Sequence, residues 1–202
     1  KGISDDLQNR IKNYKNIILA CTVQIGVNDF FWYDKKDLVK FLNSISRVAE
    51  VYDDSLIIIK GKKEELNYVE NEIKKLESYS NVFVVKSDKP KLLKYNQFDD
   101  LIKISTLMIS LHTASTTVWE SYANNKPVIL FNETHEKTWL SKYKNVEVSK
   151  EELLEAISYW LTVSKSIKFE FFKEINNIAN MGSFNGLEEI ANDIDLMLSA
   201  EN

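Results

Sequence analysis

The chain has 202 residues and a net charge of -4, with 44% hydrophobic and 28% charged residues. That allows one substantial core, and it excludes a disordered polyelectrolyte and a nucleic-acid-coating protein. A phosphate-bearing ligand would have to be held by local geometry rather than by a broad positive field. The positive charge is nearly all Lys, with Arg only at Arg10 and Arg47, a bias that reads as codon usage rather than function. No stretch approaches the ~18–20 apolar residues that span a bilayer, and no signal-peptide pattern opens the sequence. The first residue is Lys1 rather than Met, and a piece of a longer protein is expected. The single cysteine, Cys21, lies within the apolar run IILACTV. It reads as a small buried hydrophobe, and a reducing, cytoplasmic setting fits.

In chain order, 5–14 reads as a helix or as a linker from an upstream domain, and 17–23 as a strand apolar on both faces. Helical spacing follows at 36–52, through Leu38, Phe41, Leu42, Ile45, Val48, Ala49 and Tyr52. Residues 55–60 (SLIIIK) predict a second strand. A single helix is expected over 63–79, with Leu66, Val69, Ile73 and Leu76 on one face. Residues 81–85 (NVFVV) make a third strand. A polar loop with Pro90 leads to a short helix at 99–104, a fourth strand at 106–111 and a helix at 115–124. A fifth strand at 127–131 (PVILF) comes next. A short edge strand is expected at 146–148, then a helix at 151–162 capped by Ser149. The weakly patterned 164–186 leads to a last helix at 187–198, so 164–202 reads as a helical extension of a single domain. This alternation predicts a three-layer α/β domain whose mostly parallel sheet is flanked by helices.

Open α/β sheets bind ligands beyond the carboxyl ends of their strands, which directs attention to the segment 111–132, LHTASTTVWESYANNKPVILFN. A buried strand ends at Leu111. Thr113, Ser115, Thr116 and Thr117 then lead into a helix whose free N–H groups and dipole favour an anion. Ala114 lets the backbone approach closely, and Glu120, one turn in, suits a neutral diol beside the anion. Asn124 and Asn125 stop the helix, Asn being able to take the left-handed conformation. Each feature also has an ordinary structural explanation, since Ser and Thr cap helices and Glu complements a helix start. Their joint occurrence after the fourth strand carries the functional reading.

The spacing from Thr113 through Glu120 to Pro127 resembles the donor-binding strand–helix–strand of GT-B glycosyltransferases, among them the transferases that build peptidoglycan, capsule and lipopolysaccharide. The resemblance in strand order covers roughly 16–162, and only this segment is specific. It implies a Rossmann-like, C-terminal GT-B half that holds a UDP-, CDP- or GDP-linked sugar and transfers it to a glycan or lipid-linked acceptor. Thr113, Ser115, Thr116 and Thr117 would meet phosphate, and Glu120 the ribose. A missing N-terminal domain would bring the acceptor and the catalytic base, so the isolated chain would be close to inactive. The family commonly carries Gly where this chain has Asn125. Any membrane contact would be peripheral, no nucleic acid is implied, and no cofactor or bound metal is expected.

The C-terminal half of a non-hydrolysing nucleotide-sugar 2-epimerase shares this architecture, and NKPVILFNETHEKT is similar to it, although its Ser-Gly-Gly turn is replaced by Thr113-Ala114-Ser115. A non-catalytic binding module is a third reading, which a surface ion pair at Glu120 would favour. Lys60 and Lys62 occupy the place of a Lys-x-His-Pro motif in related transferases. With His and Pro absent, a solvated Lys-rich turn is expected there. The loop 86–92 (KSDKPKL) would meet the base, while Gln24 and Gly26 would face an interdomain cleft. The aromatic cluster Phe30, Phe31, Trp32 and Tyr33 reads as a partner-domain contact or a helix staple. His112 and His135 lack partners at metal-ligand spacing; His112 beside the phosphate turn reads as a buried, satisfied histidine or as an aid to the leaving group.

Overall fold

The computed structural model describes residues 2–22, 34–61, 63–85, 97–111, 116–133 and 137–179. The chain divides into two compact units, Lys1–Val163 and Ser164–Asn202.

The first unit is built on six parallel strands: β1 (Asn16–Cys21), β2 (Ser55–Lys60), β3 (Val82–Val85), β4 (Leu107–Leu111), β5 (Val128–Phe131) and β6 (Glu147–Val148). Their order across the sheet is β3-β2-β1-β4-β5-β6. Residues 17–21, 55–59, 107–111 and 128–131 are all buried, which is why these strands read as unbroken apolar runs rather than as alternating ones. Each fully buried Ile or Leu contributes about 1.5–3 kcal/mol of transfer free energy, so these strands hold much of the domain's stabilising apolar surface.

The helices of this unit are α1 (Asp5–Ile11), α2 (Lys35–Val51), α3 (Lys63–Tyr68), α4 (Glu70–Glu77), α5 (Phe98–Ile104), α6 (Thr116–Ala123) and α7 (Leu153–Thr162). Right-handed crossovers put the helices between β1, β2 and β3 on one face and α5 and α6 on the other, while α7, beyond β6, returns to the side of α2. Side-chain contacts agree. Phe41 of α2 packs on Phe131 with ring centroids 5.6 Å apart, and the Tyr52 hydroxyl beyond α2 donates to the Leu154 carbonyl of α7 at 2.8 Å. On the opposite face the Ser121 hydroxyl of α6 lies 3.1 Å from the Met108 sulfur. The expected three-layer parallel α/β domain is therefore the observed one.

Local chemistry explains the element ends. Asp34 caps α2 with a reciprocal capping box: its carboxylate accepts from the N–H groups of Lys36 and Asp37, while Asp37 accepts from the Asp34 N–H. Asn81 is buried at the entry to β3, and its amide donates to the carbonyls of Ala49, Tyr52 and Ser55. Residues 5–11 form a helix rather than a linker. Leu7 is fully buried, and beside it Arg10 donates to the Val82 carbonyl at 3.0 Å and lies over the Phe83 ring.

Three expectations need correction. The helix over 63–79 is broken at Val69, which leaves helical geometry (φ -126°, ψ 36°) and starts α4. The Val69 N–H reaches back three residues to Leu66, tightening the last turn of α3. The break lets Leu66, Val69, Ile73 and Leu76 all stay buried. Ser149 does not cap α7 through its side chain; its N–H and hydroxyl instead donate to the Glu152 carboxylate at 2.9 and 2.8 Å. Those bonds hold the Glu152 carboxyl below its ordinary range. In the second unit, 164–186 is not only a crossing segment, because Lys165–Ala179 forms a 15-residue helix, α8. The last expected helix, 187–198, lies outside the described residues.

Candidate functional site

The strand order reverses between β1 and β4, the switch point at which open α/β sheets leave a crevice beyond the carboxyl ends of their strands. β1 ends there at Cys21, β2 at Lys60 and β4 at Leu111. The helix α6 starts above the end of β4.

On α6, Thr116, Thr117 and Glu120 stand three and four residues apart and therefore share one face. Thr116 is exposed and Thr117 half-buried, while the Thr117 carbonyl accepts from the Ser121 hydroxyl at 3.0 Å. Glu120 is exposed, and among the described residues its carboxylate makes no hydrogen bond or ion pair. Partial burial, and secondarily the negative charge of Asp99 at the start of α5, raise its pKa. The surface ion pair that would have favoured a non-catalytic module is thus not seen among the described residues. Thr113, Ser115 and His112 lie outside the described residues, as do Gln24, Gly26, Phe30 to Tyr33, Lys62, the loop 86–92 and His135.

The position of α6 is fixed at both ends. Its C-terminus closes in a Schellman motif: the Asn125 N–H donates to the Tyr122 carbonyl at 2.8 Å and the Lys126 N–H to that of Ser121 at 2.9 Å. Asn125 takes φ 54°, the left-handed role that Gly fills in the related pattern. Lys126 then donates to the carbonyls of Lys103 and Ser105, tying this end to the C-terminus of α5. Near the other end, Trp119 stacks on Trp139 at 5.9 Å with the rings 14° from parallel. Trp139 belongs to a short 3₁₀ turn, Trp139–Lys142.

Sequence reasoning missed Glu147. From β6 its carboxylate accepts from the Asn132 amide at 2.5 Å, from the Thr138 hydroxyl at 2.6 Å and from the Thr138 N–H at 2.9 Å. Glu133 accepts from the Lys150 N–H at 2.6 Å. The loop leaving β5 is therefore anchored on both sides by carboxylates. The available signal was an acidic residue opening a strand that pairs with the apolar Leu130.

Lys60 also departs from expectation. It is half-buried at the end of β2 rather than in a solvated turn, and burial lowers its pKa. Next to it, Gly61 is required by close packing: a Cβ there would collide with Thr22 Oγ1 and lie 3.0 Å from Leu66 Cδ2. Cys21 is free and buried, and its thiol is pushed up by that burial. Among the described residues no cluster of three or more His, Cys, Asp or Glu could hold a metal ion. Nor, among them, is any helix long and apolar enough to cross a membrane.

No protein-family model matches the chain, and no curated protein matches it. Solved structures do. The UDP-GlcNAc 2-epimerase of Methanocaldococcus jannaschii, in complex with UDP-GlcNAc and UDP, is similar with a TM-score of 0.53 and 17% identity over 80% of this chain. The UDP-GlcNAc 2-epimerase of Neisseria meningitidis bound to UDP-GlcNAc gives 0.55 and 17% over 86%. The UDP-forming alpha,alpha-trehalose-phosphate synthase of Burkholderia vietnamiensis gives 0.57 and 10% over 97%. The chain spans 43%, 42% and 47% of those proteins, less than half of each. At these identities the likeness concerns the fold alone, a three-layer parallel α/β domain.

Proposed function

We propose that the chain is the nucleotide-sugar-binding half of a GT-B-type glycosyltransferase, holding the donor while a second domain presents the acceptor. The observation that carries this reading is the start of α6 beside the switch point, with Thr116, Thr117 and Glu120 on one face and the Glu120 carboxylate unpaired among the described residues. A helix N-terminus attracts the diphosphate, with Thr113, Ser115, Thr116 and Thr117 supplying donors. A carboxylate one turn on accepts hydrogen bonds from ribose hydroxyls. Helix dipole and hydroxyls together stabilise the charge on a departing diphosphate. The product of transfer is a glycan or a lipid-linked sugar made at the cytoplasmic side of a membrane, with contact to that membrane peripheral.

A UDP-GlcNAc 2-epimerase half is the second reading, favoured by the epimerases of two organisms among the similar folds. Both readings share the donor site and differ in chemistry.

Calorimetric titration of the chain with UDP, CDP and GDP tests the shared part. One nucleotide is expected to bind saturably, and Glu120→Ala to weaken it by about 1–3 kcal/mol through the lost charged acceptor. Absence of saturable binding at millimolar nucleotide would overturn the reading. With the full-length protein, NMR detection of a 2-epimer from UDP-GlcNAc alone would select the epimerase.

A further inference from the structure

The segment between β5 and β6 gathers aromatic and basic side chains at the surface. Trp139 opens its 3₁₀ turn and stays 43% exposed, although Trp119 stacks on it and Tyr143 meets it edge-on at 6.3 Å. The Lys142 ammonium lies over the Trp139 ring at 5.6 Å and over the Tyr143 ring at 4.8 Å. Two residues on, the Lys144 ammonium lies 6.0 Å from the ring of Tyr159 on α7. Trp119, Tyr143 and Tyr159 are half-buried, while Lys142 and Lys144 are exposed.

The turn is anchored from below, so its outward groups are held in place. Leu140 is fully buried, and the Thr138 hydroxyl accepts from the Leu140 N–H at 3.2 Å. At the far end the Trp160 indole donates to the Asn145 carbonyl at 2.7 Å.

Charge here runs against that of the whole chain. Residues 137–146 carry three Lys and no Asp or Glu, in a protein of net charge -4. Of the acids that flank them in sequence, Glu147 is bonded to Asn132 and Thr138, and Glu133 accepts from the Lys150 N–H. Glu136 lies outside the described residues. Lys137 lies in the field of Glu152, which leaves Lys142 and Lys144 as the outward charge beside the rings.

Trp and Tyr have amphipathic rings that settle at the level of lipid headgroups. Lys lays its apolar stem along such rings and keeps its ammonium among the phosphates. With one indole stacked on it and an ammonium over it, the Trp139 ring is poorly suited to stack a sugar or a base. It is well suited to enter a headgroup layer.

We propose that the turn Trp139–Lys142 with Tyr143, Lys144, Trp119 and Tyr159 is the surface by which the chain docks on an anionic membrane. The proposal deepens the peripheral contact named above and does not depend on which nucleotide is held. Because the chain as a whole is acidic, an anionic surface repels most of it and admits it by this patch, which fixes its orientation.

The test is co-sedimentation of the chain with vesicles of phosphatidylcholine, alone and mixed with phosphatidylglycerol. The wild type should bind the mixed vesicles at low salt, and added salt should weaken that binding by screening. Lys142→Ala with Lys144→Ala should weaken it by about tenfold to thirtyfold, roughly fivefold per lysine. Lys74→Ala with Lys75→Ala, an equal loss of charge on α4, should not. A second readout keeps an aromatic ring in the turn: brominated lipid should quench the tryptophan emission of the wild type, and less so that of Trp139→Phe. No binding of the wild type to mixed vesicles overturns the proposal, as does binding that both lysine pairs weaken equally or quenching that Trp139→Phe leaves unchanged. Titration of the same samples with UDP, CDP and GDP separates the two readings. Nucleotide binding without vesicle binding sinks this surface and leaves the donor site; vesicle binding without nucleotide binding does the reverse.

Discussion

Asp99 on α5 and Glu120 on α6 bring two carboxylates into each other's field, and the Asp99 charge adds to partial burial in raising the Glu120 pKa. Between the ordinary carboxylate range and this raised value, the folded chain binds more protons than the unfolded one. Stability therefore falls as pH rises through that window. Glu120→Gln should remove the penalty. We expect its Tm at neutral pH to match or exceed that of the wild type, with a gain in stability of about a few tenths of a kcal/mol, the scale for an exposed group. The advantage should vanish below the ordinary carboxylate range. Thermal melts of both proteins from pH 3 to 8 check this, roughly spanning the window around the reference carboxylate values; a Gln variant less stable at neutral pH would contradict it. A substitution that stabilises the fold while weakening nucleotide is the signature of a residue kept for binding.

Glu147 should matter for stability rather than for affinity alone. Removing its carboxylate leaves the Asn132 amide and the Thr138 N–H without an acceptor. Glu147→Ala should cost about 1–3 kcal/mol, read from urea unfolding. Glu147→Gln, which still accepts, should recover part of that loss. Equal midpoints for the wild type and the Ala variant would show that the loop after β5 is held by other means.

Gly61 and Thr22 should be energetically coupled. Gly61→Ala is expected to cost about 1–3 kcal/mol by overpacking, because its Cβ meets Thr22 Oγ1 and Leu66. Thr22→Ala removes the nearer obstacle. In a double-mutant cycle the pair should be less destabilised than the sum of the two single changes. Strict additivity would place the strain elsewhere.

The sheet was legible because its strands are apolar on both faces; the strand order β3-β2-β1-β4-β5-β6 was not, because the same alternation of helices and strands fits more than one doubly wound order. β2 was read to the residue, as SLIIIK is bounded by polar turns on both sides. The break at Val69 was hidden because Leu66, Val69, Ile73 and Leu76 keep helical spacing on either side of it. The helix α8 was obscured by adjacent aromatics: Phe171 and Phe172 blur a period that Ile167, Phe171 and Ile175 otherwise carry. At the candidate site, Glu120 was legible from its distance to the strand end. The burial of Lys60 was not, since KGKKEE reads as surface in any one-dimensional view, and only its pairing with Cys21 shows otherwise. Glu147 acts through partners nine and fifteen residues away, beyond the reach of any local pattern.

The Trp119–Trp139 stack adjoins Glu120 in sequence. Two nearly parallel indoles at 5.9 Å couple their electronic transitions, so the pair should give a near-ultraviolet dichroism signal that neither ring would give alone. Anything that shifts α6 against the 3₁₀ turn changes that signal, and the candidate site thereby carries an intrinsic optical reporter that needs no added label.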